Sequence, residues 1–264
     1  MPNIEIEGHS FYYTERDGNK PSIIILCSTG LDSRQWKDVF ELLSDRRLII
    51  LHYLGYHPSE KWNNENPPDI NIDYLAAELL LTNESGSVDL LGHSYGGFIA
   101  LKLAVKYPKK IRKIALHEPI AWGCLDYTEK DDLKDDFGNV VETFFTEGLS
   151  IEDFLEDFVD YWNEPGTWEN MSESRKDNWR VLQPKILAEV RLLCYDKTPP
   201  EYWKKVNSPV FITVSRETPP HQFEVCQILC SLIPNVSLKY VPGGHMGILT
   251  RSKIVLPLLT KWLE

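Results

Sequence analysis

Ser94 is the residue whose surroundings most clearly favour chemistry. It lies at the centre of a G-x-S-x-G pattern over residues 92–96, between the apolar run Val88–Leu91 and a segment with helical spacing. Glycines two positions before and after a serine suit a sharp strand-to-helix turn, in which a strained serine presents its hydroxyl above the end of a strand. The pattern predicts that Ser94 is a nucleophile; the alternative is an ordinary glycine-flanked loop.

His245 is the predicted general base for that serine. A serine hydroxyl becomes a good nucleophile only when a base takes its proton, and an acid must hold that base in one tautomer. In chains with this kind of turn the acid and the histidine follow the serine in sequence. His245 follows the last predicted strand and has glycines on both sides, so its loop can reach back over the sheet. For the other histidines we expect structural roles: His93 adjoins Ser94, His117 ends a strand, and His9, His52, His57 and His221 lie in surface-like contexts.

The acid is open between several carboxylates. Many enzymes with this serine pattern carry an aspartate one residue before a proline after the penultimate strand, but here that position is Thr218, which cannot act as an acid. Glu217 lies one residue away, and a shift of one residue re-aims the side chain. Glu118 ends an earlier strand, where Pro119 disfavours right-handed helical geometry. We favour Glu118, with Glu217 as the alternative acid and Asp126, or no acid at all, as the remaining possibilities.

Acyl transfer also needs N–H donors for a developing oxyanion. The turn itself supplies one donor, the backbone N–H of Tyr95. The second is expected from the loop that follows the strand Ser22–Leu26, and the backbone N–H of Thr29 is the candidate.

Short apolar runs alternating with helical segments predict the scaffold that positions these residues. Two runs, Ile4–Ile6 and Phe11–Thr14, predict an antiparallel edge hairpin. The alternation further along predicts an α/β fold, a mostly parallel sheet flanked by helices. The predicted parallel strands are Ser22–Leu26, Leu48–Leu51, Val88–Leu91, Ile114–Leu116, Val210–Val214 and Leu238–Val241, and the predicted helices are Ser33–Leu43, Ile72–Leu81, Tyr95–Lys106, Phe223–Leu232 and Ser252–Leu263.

The alternation stops over residues 120–206, which have a helical pattern and no credible buried strand. Five of the eight tryptophans lie in this interval: Trp122, Trp162, Trp168, Trp179 and Trp203. We therefore predict an inserted helical cap over residues 120–206 and a core made of residues 1–119 and 207–264. Core packing within the cap is the commoner role of such tryptophans, and the others are candidates to line a pocket.

Composition excludes several classes of protein. The 264 residues are 42% hydrophobic and 25% charged, which is typical of a globular domain, and no apolar run approaches the roughly 20 residues of a membrane span. A net charge of −11 disfavours nucleic acid as a partner. The first residues lack the pattern of a secretory signal, so we expect a soluble, cytoplasmic protein with a small-molecule substrate. The sequence does not specify an oligomeric state.

Cysteine usage agrees with that compartment and points to no metal. Five scattered cysteines are a poor disulfide framework. Cys226 and Cys230 are four residues apart, but no second Cys or His pair lies nearby at ligand spacing. We expect neither a metal nor a cofactor.

Taken together, these residues resemble the α/β-hydrolase family over nearly the whole chain. Within it the chain is similar to a bacterial group of capped hydrolases, and the shared segments are S-R-Q-W at Ser33–Trp36, the serine turn Gly92–Gly97, H-E-P at His117–Pro119, Tyr161–Trp168 and G-H-M-G-x-L-T at Gly244–Thr250. The group keeps the glutamate of H-E-P as its acid, so the resemblance also implies Glu118. The chain departs from the family pattern at Cys27-Ser28, where members usually have His-Gly, and this change affects the second oxyanion donor.

The sequence thus predicts a cofactor-independent serine hydrolase that cleaves a small, largely apolar ester or related acyl compound through Ser94, His245 and Glu118. One alternative keeps the fold and these residues for lyase, C–C bond hydrolase or cofactor-free oxygenase chemistry. Another is a non-catalytic ligand-binding receptor, for which the Cys27-Ser28 change is the only support.

Overall fold

One eight-stranded sheet forms the centre of the molecule, in a computed structural model that describes residues 2–264. The strands lie in the order β1-β2-β4-β3-β5-β6-β7-β8. Strand β2 is antiparallel to both of its neighbours, and every other neighbouring pair is parallel. The strands are β1 Asn3–Ile6, β2 His9–Arg16, β3 Asn19–Leu26, β4 Arg46–Leu51, β5 Val88–His93, β6 Ile111–His117, β7 Val210–Ser215 and β8 Val236–Val241.

The α/β fold predicted from the sequence is confirmed, including the edge hairpin of β1 and β2. The central strands are apolar along their length because helices cover both faces of a parallel sheet. Ile23–Leu26 of β3 and Leu48–Leu51 of β4, for example, are almost fully buried. The carboxyl ends of β3, β5, β6, β7 and β8 meet at one edge, where the loops that carry the candidate residues begin.

Helices connect the strands and fill the interval between β6 and β7. They are α1 Val39–Leu42, α2 Ile72–Asn83, α3 Tyr95–Lys106, α4 Asp131–Phe145, α5 Ile151–Trp162, α6 Glu173–Cys194, α7 Pro200–Trp203, α8 Pro220–Leu232, α9 Gly247–Thr250 and α10 Ser252–Leu263, with 3-10 turns at Ser33–Trp36 and Trp122–Tyr127. Helices α4 to α7, together with the second 3-10 turn, are called the helical insertion below. None of the helices in residues 2–264 is both long enough and apolar enough to cross a bilayer.

The single helix predicted over Ser33–Leu43 is wrong. The segment forms a 3-10 turn, whose first N–H groups are capped by Asp32, followed by the short helix α1. The apolar spacing that suggested one amphipathic helix arises because each short piece buries its own residues, Trp36 in the first and Val39 in the second. Gln35 is buried in the same turn, where its side chain hydrogen-bonds to Ser28 and His93.

Candidate functional site

Ser94 occupies a sharp turn between β5 and α3 with a strained backbone. Its φ of 55° and ψ of −117° lie outside the regions that a serine ordinarily adopts. Close packing requires both pattern glycines: a Cβ on Gly92 would lie 2.8 Å from the carbonyl oxygen of Gly96, and a Cβ on Gly96 would collide with the backbone of Leu26. The Ser94 N–H donates to the carbonyl of His117 at 3.1 Å, which fixes the turn against the end of β6.

Glu118 follows β6 directly and is completely buried. Its φ of 42° turns the chain out of the strand before Pro119. The carboxylate accepts three hydrogen bonds: Oε1 from the Ser215 N–H at 2.8 Å, and Oε2 from the Thr218 hydroxyl at 2.7 Å and from Nδ1 of His245 at 2.9 Å. Burial raises the pKa of this carboxyl. The His245 hydrogen bond, the neighbouring imidazoles and the Ser215 N–H lower it by a larger amount, so the net pKa is below its ordinary value. Glu118 is therefore ionised at neutral pH.

The loop after β8 carries His245 over the same edge of the sheet. Gly243 and Gly244 both have positive φ, and Gly244 N–H donates to the Ser215 hydroxyl at 3.0 Å. His245 is 2% exposed, and its Nε2 atom is buried without a hydrogen-bond partner among residues 2–264. Ser94 and His245 line one cleft, but the Ser94 hydroxyl does not hydrogen-bond to that Nε2 atom.

Neither of the other predicted acids hydrogen-bonds to His245 within residues 2–264. The Glu217 carboxylate accepts from the Gly243 N–H at 3.0 Å, and Asp126 pairs with Lys197 at 2.7 Å on the surface of the helical insertion. Thr218, which occupies the usual position of the acid, donates its hydroxyl to the Glu118 carboxylate. The one-residue shift that separates Glu217 from the usual acid position therefore directs its side chain to the loop backbone.

The loop after β3, residues 27–32, is called the β3 loop below. Three of its N–H groups are already used: Ser28 donates to Oε1 of Gln35 at 3.2 Å, Gly30 to the Tyr56 hydroxyl at 2.9 Å, and Leu31 to the carbonyl oxygen of Ser28 at 3.2 Å. Within residues 2–264 neither the Thr29 N–H nor the Tyr95 N–H donates to a protein acceptor. The two predicted oxyanion donors are thus free, although Cys27-Ser28 replaces the usual His-Gly of the family pattern.

A chain of hydrogen bonds that the sequence did not predict links the β3 loop to the His245 loop. The Gln35 amide donates to Nδ1 of His93 at 3.0 Å, and Nε2 of His93 lies 3.0 Å from the carbonyl oxygen of His245. Burial and the neighbouring His245 and His117 lower the pKa of His93 far below its ordinary value. Neutral His93 therefore accepts at Nδ1 and donates from Nε2. The presence of His93 next to Ser94 was the only sequence signal for this role.

Two of the histidines expected in surface-like contexts are buried, so that expectation is wrong for them. His52 bonds to the Thr14 hydroxyl at 2.9 Å. His221 lies at the start of α8, where Nε2 contacts the Tyr161 hydroxyl and Nδ1 lies 3.1 Å from Asp136. Burial lowers the pKa of His221 although Asp136 opposes this. Both partners of His221 come from the helical insertion, which no local pattern around His221 could reveal.

A cleft of about 970 Å³ opens above Ser94 and His245 between the β3 loop and the helical insertion. The indole of Trp162 stacks on the His245 imidazole with ring centres 3.7 Å apart and an interplanar angle of 27°. Apolar side chains of α5 and α6 continue the wall, and they include Phe158, Val159 and Leu182. The geometry brings a serine, a histidine held by a buried carboxylate, and two free N–H groups to one cleft, whose wall is apolar on the side of α5 and carries polar side chains elsewhere, among them Arg34, Lys61 and Arg175.

A family model described as "alpha/beta hydrolase fold" matches residues 22–252. The chain belongs to the α/β-hydrolase family. The matched range includes every candidate residue named above.

Two curated relatives show the range of proteins that this α/β-hydrolase resembles. It is 36% identical to the 2-hydroxymuconate semialdehyde hydrolase of Pseudomonas sp. (strain CF600) over 83 residues, which are 31% of this chain and 29% of that protein. The likeness to this first relative therefore covers less than a third of its length. The chain is 23% identical over 257 residues to the putative 2-succinyl-6-hydroxy-2,4-cyclohexadiene-1-carboxylate synthase of Bacillus subtilis (strain 168), covering 92% and 91% of the two chains.

Solved structures of α/β-hydrolases superpose on nearly the whole chain. MGS-M2, an alpha/beta hydrolase enzyme from a Medee basin deep-sea metagenome library, has a TM-score of 0.74 at 19% identity and covers 99% of this chain and 97% of its own. The esterase from Exiguobacterium antarcticum has a TM-score of 0.73 at 18% identity, covering 98% and 97%. At these identities the likeness establishes the fold.

The residues that the structure describes contain no group of three or more His, Cys, Asp or Glu side chains placed to hold a metal ion. Cys226 and Cys230 are both free thiols in residues 2–264, and Cys226 accepts from the Gln222 amide at 3.7 Å. Burial raises the pKa of the Cys226 thiol far above its ordinary value.

Proposed function

We propose that this α/β-hydrolase is a cofactor-independent serine hydrolase that cleaves a small, largely apolar ester or related acyl compound. The observation that carries the proposal is the arrangement around His245. Its Nδ1 is held by the ionised, fully buried Glu118, while its Nε2 is buried without a partner in the cleft that Ser94 also lines. A histidine fixed in this tautomer has its basic nitrogen free to take a proton from a serine.

In the proposed reaction the Ser94 oxygen attacks the carbonyl carbon of the substrate, and His245 Nε2 takes the hydroxyl proton. The carbonyl oxygen becomes an oxyanion, which accepts hydrogen bonds from the N–H groups of Tyr95 and Thr29. The bond to the leaving alcohol then breaks as His245 returns the proton to that alcohol. Water releases the acyl group from Ser94 by the same steps in reverse order, with His245 again as the base.

The absence of a Ser94–His245 hydrogen bond is compatible with this sequence of steps. Catalytic hydrogen bonds are often long or unaligned in free enzymes and shorten in the complex with substrate. Rotation about one serine bond moves the hydroxyl without moving the strained backbone. We propose that residues 120–206 act as a cap, since Trp162 covers His245 and the side chains of α5 and α6 restrict access of water to the cleft.

Labelling with a fluorophosphonate, read by intact mass, tests the proposal. Wild type is expected to take up one label per chain, and Ser94→Ala and His245→Ala are expected to take up none. Cys230→Ser is the matched control, because Cys230 is a half-buried cysteine outside the cleft lining. This variant should label like wild type. A folded wild type that takes up no label would contradict the proposal and favour a receptor that has kept the fold.

A second candidate, the same residues acting on a different bond, is favoured by the relatives. Two of them are a 2-hydroxymuconate semialdehyde hydrolase and a putative 2-succinyl-6-hydroxy-2,4-cyclohexadiene-1-carboxylate synthase. Turnover of 2-hydroxymuconate semialdehyde, with no hydrolysis of short aryl esters by a protein that labels at Ser94, would favour this candidate over an esterase.

A further inference from the structure

Three charged residues form a buried cluster between the helical insertion and the core. Lys185 and Glu189 lie on α6, and Asp73 lies on α2. The Lys185 ammonium bonds to Oδ2 of Asp73 and lies 3.1 Å from Oε1 of Glu189. All three side chains are at most 1% exposed. Such complete desolvation is costly unless each charge is paired and hydrogen-bonded. The hydrogen-bond partners of this cluster therefore show which parts of the fold depend on it.

The cluster reaches the β3 loop through one tyrosine. The Tyr56 hydroxyl donates to Oε2 of Glu189 at 3.1 Å and accepts the Gly30 N–H at 2.9 Å. Gly30 directly follows Thr29, whose N–H is free. A second contact joins the β3 loop to α6. Gly30 packs so closely against the ring of Trp179 on α6 that a Cβ on Gly30 would lie 2.6 Å from it.

The cluster also reaches the turn that holds Ser94. The Tyr95 hydroxyl donates to Oδ2 of Asp73 at 3.2 Å, and Tyr95 is the residue whose backbone N–H is the other free donor. Oδ1 of Asp73 accepts the Leu54 N–H at 3.1 Å, which fixes the carboxylate. One buried cluster thus contacts the residues on both sides of the proposed oxyanion hole.

We propose that Tyr56 and Glu189 are positioning residues that hold the β3 loop in place, so that the oxyanion hole forms only when α6 is seated on the core. The inference rests on the proposed function, in which Thr29 and Tyr95 receive the oxyanion. Neither Tyr56 nor Glu189 is assigned contact with the reacting atoms. With α6 displaced, the Tyr56 hydroxyl loses its acceptor, and the Gly30 N–H loses the orientation that places Thr29.

Two nearly isosteric variants test this proposal. Tyr56→Phe removes the bridging hydroxyl. Glu189→Gln keeps the shape but directs an amide NH2 either at the Tyr56 oxygen, where it competes with the Gly30 N–H, or at the Lys185 ammonium. Because Lys185 keeps Asp73 as its counter-ion, neither variant leaves a buried charge unpaired.

For both variants kcat on 4-nitrophenyl butyrate is expected to fall by about 10- to 100-fold, while KM changes by less than about threefold. The decrease is smaller than that caused by removing an oxyanion donor, because the Thr29 N–H is misplaced and not lost. Tyr74→Phe is the matched control. Tyr74 lies on α2 next to Asp73 and, like Tyr56, donates its hydroxyl to a carboxylate, that of Glu78 at 3.1 Å, but it is outside the cluster. It should keep the wild-type kcat. Unchanged kcat in both Tyr56→Phe and Glu189→Gln would overturn the proposal.

The pH dependence separates positioning from a general loss of structure. Burial and the charge of Asp73 raise the pKa of Glu189 to about 7, against the opposing effect of Lys185. A protonated Glu189 donates to Tyr56 much as glutamine does, so the ratio of wild-type to Glu189→Gln kcat should rise from about 1 at pH 5.5 to its full value at pH 8.5. Any pH effect that the two proteins share cancels in this ratio. A ratio that does not change with pH would contradict the role of Glu189. The groups facing Glu189 are Lys185, Asp73, Tyr53, Tyr56, Tyr95, Cys27 and Thr29.

Amide hydrogen exchange at Gly30 keeps the proposal testable if wild type proves not to hydrolyse esters. The proposed function would then fail, whereas the coupling between α6 and the β3 loop would still predict faster exchange of the Gly30 amide in Tyr56→Phe and Glu189→Gln than in wild type or Tyr74→Phe. Equal exchange in all four proteins would overturn the coupling itself.

Discussion

Replacing Glu118 by glutamine removes one charge from the site and leaves the side-chain volume almost unchanged. The Ser215 N–H, 2.8 Å from Oε1, requires an acceptor, so the amide oxygen of the new side chain faces Ser215. Its NH2 group then faces Nδ1 of His245 and donates to it. The imidazole is thereby forced to carry its proton on Nε2, the nitrogen that the proposed mechanism needs as a base.

The magnitude follows from two losses. The reverse orientation of the amide, which would restore the tautomer, sets an NH2 group against the Ser215 N–H and forfeits a buried hydrogen bond, at a cost of about 1–3 kcal/mol. In either orientation the imidazolium formed during the reaction loses a charge-assisted bond of about 1.5–3 kcal/mol. Together these losses amount to about 2.5–6 kcal/mol, or a decrease in kcat of about 10²- to 10⁴-fold.

The assay is kcat on 4-nitrophenyl butyrate, whose leaving group needs no proton and therefore reports the action of the base. Glu217→Gln is the matched control, because Glu217 lies in the same region and, within residues 2–264, its carboxylate accepts only from the Gly243 N–H. It should stay within about threefold of wild type. A Glu118→Gln protein that is folded and retains the wild-type rate, with the rate lost in Glu217→Gln, would refute the assignment of the acid.

Three further predictions follow from the geometry of the site. Trp162→Ala should lower kcat/KM by about 30-fold, since a stacked indole stabilises a desolvated imidazolium by about 2 kcal/mol, whereas Trp162→Phe should keep most of the activity on the same ester. Burial, aided by His245 and opposed by Glu118, lowers the pKa of His117 to about 4. In the unfolded chain this histidine binds its proton near pH 6.5. Its contribution to the unfolding free energy, measured by urea titration, should therefore fall by up to about 3 kcal/mol between pH 7 and pH 4. His117→Asn should remove this part of the loss. Ser94→Gly should be more stable in urea than Ser94→Ala by about 1 kcal/mol, because glycine relieves the positive φ; equal stability would show that the turn is not strained.

The features that the sequence predicts well are those that depend on neighbours in the chain. Apolar runs of three to five residues identify the buried strands, because both faces of a parallel sheet are covered, and the helices Tyr95–Lys106 and Ser252–Leu263 have the predicted bounds. The G-x-S-x-G pattern predicts the strained turn because the close packing of Gly92 and Gly96 leaves no alternative residue.

The features that the sequence does not predict depend on residues that meet only in the folded chain. Lys185 and Glu189 are four residues apart on α6, a spacing that ordinarily indicates an exposed helix pair. The signal that could have identified them is their place among Ile186 and Val190 on a buried face. Thr218 occupies the usual acid position without being an acid, and its role as a donor to Glu118 depends on β6 and β7 being neighbours in the sheet.

Trapping of an acyl-enzyme would decide whether this protein acts through Ser94 as a nucleophile. Wild type is mixed with 4-nitrophenyl butyrate at low pH, quenched within one turnover, and read by intact mass and peptide mapping, with Ser94→Ala and Glu118→Gln alongside. We expect one butyryl group on Ser94 in wild type, much slower acylation in Glu118→Gln and none in Ser94→Ala. Hydrolysis of the ester with no acyl group on Ser94, or with the group on another residue, would contradict it.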